Sequence, residues 1–193
     1  MIPKTIHLIW IGDLTADATE AVALHTGLNP HHDVRLHRDD RELLPQYREL
    51  YALVKLPQLR ADLLRWSLLE QYGGWYFDID ICPRRPVEDA EKELRLDGSL
   101  MFLTERGALP NNDIIAVGRD WPHWTRFHDY FREFRTFDNE DGKASVNYSC
   151  FSLDAIMEAV VGHDGNDTTR WTVAPKDAYD VTNPRSYGYR AGK

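Results

Sequence analysis

The sequence predicts an α/β sandwich, a mainly parallel sheet flanked by helices. Short β-forming runs alternate with stretches of helical spacing, and no internal repeat or linker interrupts that alternation. The run that ends at Tyr72 closes on Gly73-Gly74 and leads at once into Trp75-Tyr76-Phe77-Asp78-Ile79-Asp80-Ile81-Cys82-Pro83, the strongest helix-to-strand junction in the chain. At 193 residues, with 42% hydrophobic and 28% charged residues, the whole chain 1–193 is expected to form one domain around one substantial core.

The elements follow in order. Thr5 to Ile11 reads as a buried strand and Ala16 to Leu28 as a helix ended by Asn29-Pro30. Asp33 to His37 is a short strand, and Asp40 to Leu53 and Leu56 to Tyr72 are helical. In the second of these helices Pro57 suits the first turn, and Leu59, Leu63, Trp66 and Leu69 or Gln71 recur on one face. One strand then carries both aspartates until Pro83 and Pro86 close it. Val87 to Leu94 is a short helix, Ser99 to Thr104 and Asn112 to Val117 are strands, and Trp121 to Phe134 is an aromatic-rich helix. Ser152 to Val161 reads as helix and Trp171 to Val173 as a last strand. Asp138 to Gly142 is an acidic loop, and the tail from Asn183 to Lys193 is rich in Gly, Tyr and Arg.

On a strand, Trp75, Phe77, Ile79 and Ile81 share the packed side and Tyr76, Asp78 and Asp80 the other. Two neighbouring carboxylates repel unless a cation lies between them, and hard oxygen ligands suit Mg²⁺ or Mn²⁺, ions that usually also hold substrate phosphates. An Asp-X-Asp tripeptide alone is a weak signal in so acidic a chain, and a solvated strand end is the plainer alternative. The preceding helix adds to it. Asp62 and Arg65 stand three apart beside the apolar stripe, either as an intrahelical salt bridge or as an anion-handling pair next to the metal.

These residues resemble a known family. Leu59-Arg60-Ala61-Asp62-Leu63-Leu64-Arg65-Trp66, then Leu69, Tyr72-Gly73-Gly74, Tyr76 and Asp78-Ile79-Asp80 look like the core signature of the DXD-containing sugar transferases. That family includes yeast outer-chain mannosyltransferases, bacterial capsular and lipopolysaccharide sugar transferases and the glucosyltransferase domain of large clostridial toxins. The opening Ile2-Pro3-Lys4-Thr5-Ile6-His7-Leu8-Ile9-Trp10-Ile11-Gly12 resembles the family's first strand. The resemblance implies a GT-A-type, Rossmann-like fold and metal-dependent transfer of a sugar, with retention, from a nucleotide diphosphate donor such as a UDP-sugar to a hydroxyl acceptor.

It also implies roles, residue by residue. Trp10 matches the aromatic that stacks on the base, although a strand-end Trp that merely packs is the plainer reading of the residue itself. Asp62 and Arg65 match donor-sugar, ribose and phosphate contacts, and Tyr76 an aromatic near the donor. Asp78 matches the carboxylate that meets ribose and often the metal, and Asp80 the direct metal ligand. Asn112 matches the Asn opening the next block, with Asn111 and Asp113 as alternative registers; His7 is expected to be a satisfied structural imidazole. The catalytic set is thus Asp78, Asp80 and Arg65, and the cofactor Mn²⁺ or Mg²⁺. The family's Thr-Gly-Pro near Tyr148-Ser149-Cys150 and its late His with Ser-Trp are missing, and the tail offers Arg185, Ser186, Tyr187 and Arg190 instead.

The remaining features set limits. Cys82 and Cys150 lack Cys-X-X-Cys spacing and read as free thiols. A net charge of −8 disfavours bulk nucleic-acid binding. No apolar run spans a membrane, and the apolar start is too short for a secretory signal, so a cytoplasmic location in a bacterium or phage-infected cell is expected. A glycan, lipid, protein side chain or nucleobase are all open as acceptors. A catalytically weak nucleotide-sugar-binding module is the alternative function. A phosphohydrolase of the Asp-X-Asp type ranks below it, because Cys82 stands where that scheme needs Thr.

Overall fold

The computed structural model describes residues 1–98, 100–105, 109–133, 171–173 and 188–190. The chain runs β1 (Thr5–Ile9), α1 (Ala16–Leu28), β2 (Asp33–His37), α2 (Pro45–Leu53), α3 (Pro57–Tyr72), β3 (Gly74–Phe77), β4 (Ile81–Pro83) and α4 (Val87–Glu93). It continues with β5 (Leu100–Glu105), β6 (Leu109–Val117), α5 (Trp124–Glu133), β7 (Trp171–Val173) and β8 (Gly188–Arg190). The main sheet has strand order β2-β1-β3-β6-β5-β7, and β4 pairs with β8 in a separate ribbon. β1 is parallel to both β2 and β3, β6 is antiparallel to β3 and β5, and β7 is parallel to β5. The sheet is therefore mixed and mainly parallel.

Period-2 alternation sorts the strand residues into two cores. Ile6, Leu8, Trp75, Phe77, Ile114 and Ala116 pack with Val22 of α1 and Val87 and Ala90 of α4. Ile9, Tyr76, Ile115 and Val117 face α2, α3 and α5. Helix α3 is the centre of this second layer: Leu59, Leu63, Leu64, Trp66, Leu68 and Leu69 are all buried, more than one stripe's worth. Its end is fixed by Gly73 and Gly74, at φ 63° and 101°, where a Cβ would lie 2.6 Å from Arg119 N and from Thr5 O respectively.

Several boundaries differ from the sequence reading. β1 stops at Ile9, although the Trp10 N–H still donates to the His37 carbonyl at 2.9 Å. The stretch 40–44 is not helical. The Leu44 N–H donates to Ser67 Oγ, which donates to the Glu42 carbonyl, so the segment is tied down to α3 and the helix starts afresh at Pro45. Helix α5 begins at Trp124, after a turn at Pro122 and His123, not at Trp121. The larger correction concerns the aspartates. Pairing with β6 ends at Phe77, and a turn closed by Ile81 N–H on the Asp78 carbonyl at 2.9 Å carries Asp78 to Asp80. They are turn residues between two sheets, not alternate positions on one strand. Ile79 and Ile81 still reach the packed side. The expected helix over 152–161, the loop over 138–142, Tyr148 to Cys150, Phe134, Ser99, Arg185, Ser186 and Tyr187 lie outside the described residues. Among those described, no helix is long and apolar enough to cross a membrane.

Candidate active site

The strand order changes direction at β1, which has β2 on one side and β3 on the other. At such a switch point the loops leaving the carboxyl ends of neighbouring parallel strands diverge and open a crevice. Trp10 leaves the end of β1 and Asp78 the end of β3, and between them lies a cleft of about 650 Å³. Trp10, Asp62, Arg65, Tyr76, Asp78, Asp80 and Asn112 all line it, together with Asp113. Pro57, Gln58 and Ala61 extend the α3 wall toward the first turn of that helix.

Arg65 is the hub. Buried on α3, its guanidinium donates to the Asp78 carboxylate at 2.8 Å, the Tyr76 hydroxyl at 3.0 Å and the Asn112 carbonyl at 3.0 Å, and lies 3.0 Å from Asp62. Its carbon sits 4.1 Å from the centroid of the Tyr76 ring. Tyr76 in turn donates to Asp78 Oδ1 at 2.7 Å, and Asn112 Nδ2 donates to Asp62 Oδ1 at 3.1 Å. The Asp62–Arg65 salt bridge therefore exists, but as a buried pair tied into a network rather than a solvated i,i+3 pair.

Among the described residues the charges lining the cleft do not balance: four carboxyl groups, Asp62, Asp78, Asp80 and Asp113, share the lining with one guanidinium. Burial pushes the Asp62 carboxyl up to about 6 against the pull of Arg65. Asp78 also rises to about 6, chiefly through burial, with the neighbouring Asp113 adding to the push. Burial works against the Arg65 charge, yet Tyr76, Asp78 and Asp62 hold its proton more firmly than usual. Burial raises the Tyr76 hydroxyl well above its ordinary value, so it remains a donor.

Among the described residues, oxygen groups dominate the cleft's polar lining, with neither imidazole nor thiol among them, which fits a hard divalent cation in kind. Among the described residues no three His, Cys, Asp or Glu side chains are grouped so as to hold a metal by themselves. Asp78 Oδ1 is already engaged by Arg65 and Tyr76.

Residues 8–97 match the family described as "Glycosyltransferase sugar-binding region containing DXD motif". This stretch, a little under half of the chain, is similar to that DXD family. The DXD turn, the α3 wall and Trp10 all fall within the matched stretch, whereas Asn112 and Asp113 lie beyond it. An uncharacterized glycosyltransferase of Acanthamoeba polyphaga mimivirus is 30% identical over 99 residues, a match covering 46% of this chain and 39% of the relative. The chain thus spans about two fifths of that relative's length. Among solved structures, the PaToxG glycosyltransferase has a TM-score of 0.57 at 17% identity, covering 83% of this chain and 69% of its own. A glycosyltransferase involved in glycosylation of the major capsid of PBCV-1 gives 0.54 at 13%, covering 97% and 94%. An active-site mutant of LgtC gives 0.57 at 10%, covering 97% and 86%. The fold is accordingly that of GT-A glycosyltransferases.

The structure answers two further sequence expectations, and His7 is the satisfied structural imidazole expected. Trp10 is half-buried at the cleft, its indole N–H on the Asp13 carbonyl at 2.6 Å, and is absent from both apolar cores. His7 does not reach the cleft: Nδ1 lies 2.9 Å from His37 Nε2 and Nε2 lies 3.0 Å from the Gly73 carbonyl oxygen. The sequence reading offered Asn111, Asn112 and Asp113 as alternatives, and the geometry brings two of them in. Asn112 contacts both Asp62 and Arg65, while Asp113 is buried against Asp78. The Asn111 side chain lies outside the described residues. Only the β3–β6 register reveals Asp113, through Phe77 opposite Ile114.

Proposed function

We propose that this protein is a glycosyltransferase that moves a sugar from a nucleotide diphosphate donor, a UDP-sugar, to a hydroxyl acceptor with retention of configuration. The observation that supports this reading is the convergence of Trp10, the α3 wall and the Asp78–Asp80 turn on one cleft at the switch point of the sheet. In this reading the Trp10 face receives the base, whose π-surface stacks without regard to hydrogen-bond pattern. Asp62, with its carboxyl braced by Asn112, and Asp78, braced by Arg65 and Tyr76, accept hydrogen bonds from donor hydroxyls. Arg65 has its charge fixed by two carboxylates, and its Nε is a buried donor with no partner among the described residues. Its role is to keep the carboxylates in place and to lend positive potential to a cleft that is otherwise acidic.

Asp80 and Asp78 would hold the Mn²⁺ or Mg²⁺, which when bound supplies Lewis acidity toward the departing diphosphate. The excess of carboxyls over guanidinium in the lining supports this assignment. The acceptor approaches from the open side of the cleft, and the chemistry leaves glycan, lipid, protein side chain and nucleobase as candidates.

The test is release of free nucleoside diphosphate from a panel of nucleotide sugars, with Mn²⁺ or with chelator, for the native protein and Asp80→Ala. Metal-dependent release from one donor, abolished by the substitution, is the expected result. Neither release nor metal-dependent UDP binding by the native protein would sink the transferase reading. Binding without turnover, whatever the acceptor supplied, would leave the nucleotide-sugar-binding module.

A further inference from the structure

We infer that His7, His37 and Glu42 form a one-proton latch between the loop after β2 and the end of α3, closed while His37 carries a second ring proton and released at Glu42 when that proton leaves for solvent. The polar groups stand in a row. His7 Nε2 lies 3.0 Å from the Gly73 carbonyl oxygen, His7 Nδ1 lies 2.9 Å from His37 Nε2, and His37 Nδ1 lies 2.5 Å from Glu42 Oε2. A backbone carbonyl and an ionised carboxylate only accept, so both ends of the row are acceptors. A neutral imidazole brings one N–H. Two neutral rings therefore supply two hydrogens for three contacts, and the row is one hydrogen short whichever tautomers the rings adopt.

A single proton completes it. With His37 as imidazolium, Nδ1–H donates to Glu42 and Nε2–H to His7 Nδ1, while His7 keeps its one hydrogen on Nε2 for Gly73. The charge belongs on His37, beside the carboxylate, because burial and His37 itself hold His7 down to about 4. Burial also lowers His37, against the pull of Glu42, so the proton is a labile one. Arg35 on β2 opposes it, with its guanidinium carbon 5.4 Å from the Tyr72 ring centroid, and Asp39 on the following loop, itself bound by Arg41, favours it. From the end of α3 the Tyr72 hydroxyl donates to Glu42 Oε1 at 3.0 Å, and with His37 it keeps the Glu42 carboxyl below its ordinary value in spite of burial. Without the proton one contact has to open. His7 and His37 are buried on two parallel strands, whereas the Glu42 side chain is 37% exposed and sits on a loop, so the carboxylate is the group free to turn to water. None of these residues lines the cleft, and the latch stands apart from the donor-site reading.

Ring ¹⁵N–¹H NMR of the native protein between about pH 8 and pH 5 reads the proton directly. At the upper end two neutral rings are expected, each with its hydrogen on Nε2, and at the lower end an imidazolium at His37 with His7 still neutral. Hydrogen exchange of the amides at 40–44, corrected for the intrinsic rate at each pH, should be about tenfold slower at the lower pH, the scale of one charge-assisted hydrogen bond. Glu42→Gln offers an amide N–H to His37 Nδ1 and so supplies the third hydrogen without a proton. Slow loop exchange at both pH values is expected for it, and fast exchange at both for Glu42→Ala. A His7 hydrogen on Nδ1 at the upper pH, native loop exchange that does not change with pH, or a glutamine variant that keeps the native pH dependence would each overturn the latch.

Discussion

Two buried polar clusters lie on the same side of the sheet and differ in kind. Around Arg65, carboxyls outnumber cations among the described residues, and the cluster opens on a large cleft. Around His7, all four ring nitrogens of the His7–His37 pair have polar neighbours: each other, the Gly73 carbonyl and the Glu42 carboxylate. Glu42 is further held by the Tyr72 hydroxyl at 3.0 Å, and none of these residues lines the cleft. The histidine cluster is closed and internally matched, so its work is done by joining β1, β2, the end of α3 and the loop after β2. Among the described residues the arginine cluster keeps more carboxyls than cations on the wall of a cleft, which a folded protein tolerates where a ligand completes it.

Removing the hub should separate the two most sharply. Arg65→Met leaves Asp62 and Asp78 buried beside each other without their counter-charge, and breaking a buried ion pair from one side costs about 3–5 kcal/mol. Urea denaturation at pH 7 is expected to show a loss of that size, together with loss of UDP binding in the fraction that stays folded. A stability change under about 1 kcal/mol would mean that the carboxyls find other partners and that Arg65 is not the hub.

A paired comparison then sharpens the division. His7→Ala strands His37 Nε2 and the Gly73 carbonyl and should cost about 1–3 kcal/mol, with UDP affinity unchanged. Trp10→Ala should do the reverse. Its ring belongs to neither core, so stability should move by less than about 1 kcal/mol, while losing a stacking platform weakens nucleotide binding by about 1–3 kcal/mol. If His7→Ala impaired binding as strongly as Trp10→Ala, the two clusters would have to be treated as one.

Local signals carried much of this fold. The bounds of α1, β2 and β7 coincide with those read from capping, turn residues and alternation, and α3 differs by one residue, because Asn29, Pro57 and Gly73 act within a turn of themselves. The cleft residues on β1, α3 and β3 were legible because a family signature tied them together. What local pattern could not carry was tertiary. The switch from strand to turn at Asp78 depends on where β6 stops pairing, and the β4–β8 ribbon joins Cys82 to Tyr189 across most of the chain. Asp62 looked like the edge of an amphipathic stripe, yet it is buried because α3 is covered on more faces than one stripe requires. Asp113 was one of three equivalent polar residues until the strand register singled it out.

The smallest effect, and the most diagnostic of the contrast, is in the pH dependence of stability without ligand. The Asp62 carboxyl, raised to about 6 by burial, binds its proton more tightly folded than unfolded, so its contribution is full below pH 3.8 and is lost as pH rises through 6. His7, lowered to about 4 by burial and by His37, works the other way: its contribution is full above pH 6.5 and is lost as pH falls toward 4. His25, lowered to about 4 by burial alone, adds to the second trend. Between pH 4 and 6.5 the two clusters therefore oppose each other, and the native protein's stability should vary little there. Asp62→Asn removes one side of the balance and should make stability fall more steeply on acidification, whereas His7→Ala should make it fall less. Denaturation midpoints measured at half-unit steps across that window decide the point. Parallel profiles for the two variants would mean that the clusters titrate alike and that the acidic surplus of the cleft is already neutralised within the fold.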